Sequence, residues 1–228
     1  MSHVRFVAIA LVVAALSGCA SETLFQSNFD ATPVGQPPAT AQKVGTGAVA
    51  APTGSVIVVA PPVQPSGHWL QISRPSGPDV SSFQGKLIRM PGQGTYTFTA
   101  TMFMPKNAQT ATVQLESFGN SASDLSGFLH LDFTPENNVR INDNDSTRFG
   151  QFPRDQAFVV QITLTIAATT ATAHIILSGA DASGDSNYAV PVPFINQAQQ
   201  FGAIRVWQGF PHIGAFDVTN IVVTKKKT

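Results

Sequence analysis

Three ionisable residues on two apolar segments, Glu116, His130 and Asp132, have the types needed for acid–base chemistry. Val113 and Leu115 alternate with Gln114 and Glu116, while Leu129, Leu131 and Phe133 alternate with Phe128, His130 and Asp132. A period of two marks strands, so Gln114 and Glu116 share one polar face and His130 and Asp132 share another. If these strands pair, a Glu, an Asp and a His meet on one face and could supply an acid and a base. The competing reading is a solvated sheet face without chemistry.

Calcium is the second chemistry to weigh. Asp181, Ser183, Asp185 and Asn187 alternate in a Gly-containing loop, and oxygen ligands at alternate positions suit Ca²⁺. The EF-hand pattern fails, because Ser186 stands where Gly is needed and no Glu closes the loop. Asn142, Asp143, Asn144 and Asp145 form a rival cluster. Asn and Asp side chains also hold turns by bonding their own backbone, so both segments read first as turns, and no cofactor is expected.

The third is an aromatic surface. Arg205 and Trp207 share a face opposite Ile204 and Val206, with Gln208, Gly209, Phe210, Pro211 and His212 in a following loop. Sugar C–H faces stack on aromatic rings while polar neighbours bond the hydroxyls. Arg205 offers a fork of donors, and Gln114, Glu116, His130 and Asp132 are possible neighbours. Trp69 and Tyr188 could extend such a surface. The opposing reading puts Trp207 in the core with Arg205 packed along it.

Cys19 is the only cysteine, and its context gives it a role. Arg5 is followed by the apolar run Phe6 to Leu16, then Ser17, Gly18 and Cys19. A basic start, a short apolar run and small residues before a cut site make a secretion signal, too short to span a bilayer as a mature helix. The Leu16-Ser17-Gly18-Cys19 ending resembles the lipobox of bacterial lipoproteins. The resemblance implies that residues 1–18 are removed and that Cys19, acylated on its thiol and new amino group, anchors the chain to a membrane. Ala20 in place of Asp resembles the outer-membrane class, so the expected location is the cell envelope, at the outer membrane. No thiol would then remain for a disulfide, a metal or catalysis.

Removal of the leader leaves a chain of about 210 residues with a formal charge near −1. Charged residues make up only 11% of the sequence, well below the usual quarter. Lys225, Lys226 and Lys227 lie at the very end. They do not resemble a nucleic-acid footprint. They read as a solvated basic tail over 225–228, with attraction to anionic lipid head groups as the alternative.

The element that must position everything else spans Ala157 to Ser178. Phe158, Val160, Ile162, Leu164 and Ile166 alternate with Val159, Gln161, Thr163 and Thr165, and Ala171, Ala173, Ile175 and Leu177 continue the pattern. Two antiparallel strands with one apolar face result, turning near Ala168 and Thr169. A helix loses here because the intervening Thr residues favour strands. Such a hairpin needs a second sheet to cover it. Further alternation marks strands at Ser55 to Ala60, Trp69 to Ser73, Gly94 to Met104, Ile204 to Trp207 and Phe216 to Val223, and no helical periodicity follows the leader. The expected organisation is a leader over 1–18, a lipidated tether over 19–23, one all-β domain over 24–224 and the basic tail.

The Leu24–Gly35 opening, the Gly94–Met104 strand and the closing Gly214–Val223 run resemble the concanavalin A-like lectin and glucanase (LamG-like) sandwich. That resemblance implies an all-β, two-sheet antiparallel jelly roll. The laminarinase-like glycosidases of this group carry Glu-x-Asp-x-x-Glu on one strand, and this sequence lacks it. The expectation is therefore a lectin-like domain without catalysis, binding a glycan or another envelope component. The alternatives are a glycoside hydrolase or lyase using Glu116, His130 and Asp132, or a purely structural lipoprotein.

Overall fold

The computed structural model describes residues 20–74, 79–122, 127–209 and 212–227. The segment expected to be a leader, 1–18, and the expected anchor Cys19 lie outside the described residues. The strands, in chain order, are β1 (Ser21–Ser27), β2 (Thr46–Ala50), β3 (Val56–Val59), β4 (Trp69–Arg74), β5 (Ser81–Lys86), β6 (Gly94–Phe103), β7 (Ala111–Ser117), β8 (Leu129–Phe133), β9 (Val139–Ile141), β10 (Asn144–Phe149), β11 (Ala157–Ile166), β12 (Ala171–Ser178), β13 (Gly184–Ala189), β14 (Phe201–Gln208) and β15 (Gly214–Lys226). A 3-10 turn (Val192–Phe194) leads into α1 (Ile195–Gln199) ahead of β14.

Two antiparallel sheets form a jelly-roll sandwich. One runs β13-β12-β11-β6-β15-β4-β3, with β1 also pairing β15; the other runs β10-β9-β8-β7-β14-β5-β2. β11 lies between β12 and β6, with Ile162 opposite Ile175 and Phe98. Its alternate residues Phe158, Val160, Ile162, Leu164 and Ile166 are buried, as alternation requires when one face meets a second sheet. Aromatic contacts cross the sandwich: Phe133 of β8 meets Phe158 of β11 at 5.7 Å, and Phe201 of β14 meets Tyr96 of β6 at 5.6 Å. The turn after β11 is closed by Ala167 N–H donating to the Thr170 carbonyl at 2.8 Å, a longer loop that needs no Gly or Asn.

Several segments differ from the expectation. Asp185 and Asn187 belong to the edge strand β13, not to a metal-binding loop. Of the cluster Asn142 to Asp145, read as a turn, Asn142 and Asp143 form the two-residue turn between β9 and β10, and Asn144 and Asp145 begin β10. Asn142 and Asp143 take left-handed φ values of 52° and 56°, a conformation that Asn and Asp tolerate and that a tight hairpin requires. Ser21, Glu22 and Thr23, expected in a tether, pair with Lys226, Lys225 and Thr224, so neither the tether nor the basic tail is loose there. α1 has only Ile195 and Ala198 buried, too few apolar positions to register as periodicity. β2 and β5 also escaped the pattern, because Thr46–Ala50 and Ser81–Lys86 carry few large apolar residues.

Candidate functional site

The polar face of the second sheet carries the candidate residues, and register brings most of them together. Gln114 of β7 lies opposite His130 of β8 on one side and Arg205 of β14 on the other. Thr112 lies opposite both Asp132 and Trp207. Gln84 of β5 is the next neighbour of Arg205.

Half of this face is closed. Gln84, Gln114, Glu116 and Arg205 are all fully buried. The Ser121 carbonyl accepts from Arg205 Nη2 at 2.7 Å and from Gln84 Nε2 at 3.2 Å, and the Ala122 carbonyl accepts from Ser82 Oγ at 3.1 Å. The chain after β7 thus folds back over the centre of the sheet. Beneath it, Glu116 receives Arg205 Nη2 at 2.9 Å, Gln84 Nε2 at 2.5 Å and Gln114 Nε2 at 3.0 Å. Three donors thus converge on one carboxylate, which acts as the acceptor at the centre of the layer. The expectation that Arg205, Gln114 and Glu116 face a ligand is corrected: they build a buried polar layer. Their outward direction on the strands was read properly, but outward from the core is not outward to solvent.

The other half is open. Thr110, Thr112, Asp132, Arg140, Asp143, Trp207, Gly209 and His212 line a cleft of about 250 Å³. Trp207 is half-buried, and its Nε1 donates to Gln114 Oε1 at 3.0 Å, which fixes the indole from below. Gly209 lets the chain cross close to the ring, since a Cβ there would run into the six-membered edge of the indole. Asp132 accepts from Thr112 Oγ1 at 2.9 Å and from the Asp143 backbone N–H at 3.2 Å. Burial pushes the Asp132 carboxyl upward, and the neighbouring charge of Asp143 adds to this. Arg140 lies 3.8 Å from Asp132 and 2.9 Å from Asp143. The β9–β10 turn positions these groups: the Asn142 side-chain oxygen accepts from His130 N–H at 2.7 Å, and its N–H donates to the His130 carbonyl at 2.9 Å.

Of the acid–base composite, His130 and Asp132 come together, but with Asp143 rather than with Glu116. His130 Nδ1 lies 3.9 Å from Asp143 Oδ2. Among the described residues, His130, Asp132 and Asp143 form the group whose ligand atoms lie close enough to hold a metal ion. One nitrogen and two carboxylates are a mixed donor set, less suited to Ca²⁺ than an all-oxygen cage. Arg140 already supplies positive charge to both carboxylates. Asp181, Asp185 and Asn187 do not converge. Asp181 accepts from Gln156 at 3.3 Å, and Asp185 pairs with His174 Nε2 at 2.8 Å.

The other aromatic candidates are elsewhere. Trp69 is fully buried, with Nε1 donating to the Pro65 carbonyl at 3.1 Å. Tyr188 of β13 accepts from Asn142 Nδ2 at 3.0 Å and ties the two sheet edges together. Sequence reasoning missed Arg140, Thr112 and Gln84. Arg140 lies between Val139 and Ile141 in a strand too short to establish a period, and it is the pairing of β9 with β8 that sets it opposite Asp132.

No protein-family model matches the sequence, and no curated protein matches it. Solved structures do share its shape. The lectin UEA-II complexed with galactose is 11% identical, with a TM-score of 0.52 over 91% of this chain and 99% of that one. The T. cruzi calreticulin globular domain is 10% identical, with a TM-score of 0.53 over 90% and 89%. A GH131 β-glucanase catalytic domain from Podospora anserina is 10% identical, with a TM-score of 0.51 over 82% and 85%. The fold is the lectin and glucanase jelly roll. At these identities the likeness is one of fold alone, and the site must carry the chemistry.

Proposed function

We propose that this chain is a lipid-anchored envelope protein whose sandwich binds a glycan without cleaving it. The observation that carries the reading is the open cleft at Trp207. A fixed indole lies among two hydroxyls, two carboxylates, a guanidinium and an imidazole, which together suit the apolar faces and hydroxyls of a sugar. Lectin and glucanase neighbours support a carbohydrate as the ligand class. Absence of catalysis is supported by Glu116, which is sealed under the chain after β7 and saturated with donors. The Leu16–Cys19 lipobox supports the anchor, and Ala20 supports the outer membrane.

A glycan array probed with the purified protein tests the binding. We expect retention of a narrow set of glycans, lost in Trp207→Ala. Retention of none would overturn the glycan reading. Mass spectrometry of membrane-extracted protein tests the anchor separately, with an acylated chain beginning at Cys19 as the expected product.

One observation favours hydrolysis instead. Asp132, raised by burial, and Asp143 stand side by side in the cleft, where one could serve as acid and the other as base or nucleophile. Turnover of a bound glycan that Asp132→Asn abolishes while binding persists would establish it.

A further inference from the structure

We propose that the end of the sandwich bearing Lys226 is a docking face for anionic phospholipid headgroups, and that it turns the Trp207 cleft away from the bilayer. The inference rests on the reading of Cys19 as a lipid anchor. It concerns what the protein presents to the membrane once held there.

The tether is short. The Ala20 carbonyl accepts from Lys227 N–H at 2.9 Å, and Ser21 already pairs with Lys226. Only Ala20 stands between Cys19 and Ser21, the first paired strand residue, so two residue steps give a reach of about 7 Å at most. That is about one Debye length at physiological salt, so charges at this end act on the headgroups with only partial screening.

The charges there are cationic. Arg89, Lys225, Lys226 and Lys227, with Glu22, line an open depression of about 290 Å³. Lys225 is held in place by the Tyr96 ring at 5.3 Å and the Pro91 carbonyl at 2.7 Å. This clustering occurs in a chain whose formal net charge is zero.

The same end exposes apolar side chains. Ile88 and Met90, which flank Arg89, are 53% and 52% exposed, and Phe118 beside Ile88 is 47% exposed. Val192 and Phe194 are also exposed and lead into α1. Gln199 of α1 donates to the Ala168 carbonyl at 2.5 Å, in the turn that follows Ile166, and Ile166 pairs with Gly94 at the start of β6. Register then carries the position across, since Tyr96 of β6 pairs with Lys225. Apolar side chains interleaved with bases are the composition of a surface that sits at the headgroup boundary.

The cleft lies at the opposite end of the same strand. His212 precedes β15, whereas Lys226 is its last residue. Along β7, Thr112 of the cleft lies six residues before Phe118 of the docking face, so docking there holds the cleft on the order of 20 Å from the membrane.

The test uses the lipidated protein in vesicles, with Met90→Cys or Ile213→Cys labelled by an environment-sensitive fluorophore. Acylation of Cys19 leaves the introduced thiol as the one to be labelled. In phosphatidylglycerol-containing vesicles we expect the label at 90 to shift to the blue and resist iodide, while the label at 213 stays aqueous. Pure phosphatidylcholine vesicles, or the added pair Lys226→Glu and Lys227→Glu, should return the label at 90 towards water; about fivefold in contact probability is expected per base removed. Identical aqueous readings at 90 and 213 in anionic vesicles would overturn the proposal. So would shielding at 90 that follows protein concentration rather than lipid charge, which would assign the face to a second copy. The mass at Cys19 is read on the same sample. An acylated chain with an aqueous label sinks the docking face alone. An unacylated chain sinks the anchor alone, and the label at 90, read again with Cys19→Ser added to keep a single thiol, still decides the face in anionic vesicles.

Discussion

Arg205 and Glu116 meet at 2.9 Å with no exposed surface on either side chain. They lie on adjacent strands of the polar face, β14 and β7, beneath the returning chain at Ser121. Removing one partner of such a pair strands a buried charge, which typically costs about 3–5 kcal/mol. Arg205→Met should therefore destabilise the fold by that order in urea unfolding. The double variant Arg205→Met with Glu116→Leu should recover much of the loss. A single variant within 1 kcal/mol of wild type would show that the pair is not structural.

Ile162 and Gln161 are neighbours in β11 on opposite faces. Ile162 is buried between Phe98 and Ile175, whereas Gln161 is half-exposed on the outer face. Ile162→Asp should cost several kcal/mol, a large share of ordinary domain stability, and Gln161→Asp far less. Equal thermal shifts for the two would contradict the facing observed here.

Asp217 of β15 sets a pH dependence. Burial raises its carboxyl to about 6, against a lowering contribution from Gln71, which donates to it at 3.1 Å. Because the folded value lies above the unfolded one, the native state binds the proton more tightly. The stability from this group is full below about pH 4 and is lost as pH rises to about 6, a change on the order of 3 kcal/mol. Asp217→Asn keeps an acceptor for Gln71 and removes the buried charge. It should raise Tm at pH 7 and flatten the Tm profile between those limits. An unchanged profile would mean that Asp217 does not titrate in this window.

Trp207 separates stacking from scaffolding. Its ring lines the cleft while its Nε1 holds Gln114. Trp207→Ala should lose glycan retention and also lower Tm, since a buried acceptor loses its donor. Trp207→Phe should lower Tm for the same reason yet keep a stacking ring and most of the retention. Trp69 is fully buried, so any ligand-induced fluorescence change should vanish in both variants. A change that survives in Trp207→Phe would place the ligand near Trp69 instead.

The strands and their inward faces were legible because burial of one face imposes a period of two on any sequence. Phe158 to Ile166 and Tyr96 to Met102 show this without reference to a partner. The shared face of His130 and Asp132 within β8 was legible in the same way, whereas the pairing of β7 with β8 entered only as a condition that the register meets. Short or edge strands such as β2, β9 and β13 were not, because one or two apolar residues cannot establish a period.

Sequence by itself determined the local chemistry: the single cysteine behind a short apolar run, the alternation that builds two sheets, and the outward direction of Arg205 and Trp207. Only the tertiary structure decided what those outward residues meet. The return of the chain at Ser121 sealed Arg205 and Glu116 and left Trp207 beside an open cleft. The pairing of Ser21 with Lys226 turned an expected tail into one end of a strand. Alternation is a contact rule between adjacent residues, so sequence displays it. The covering of a polar face joins residues such as Arg205 and Ser121 that are 84 positions apart, and no local pattern encodes that distance.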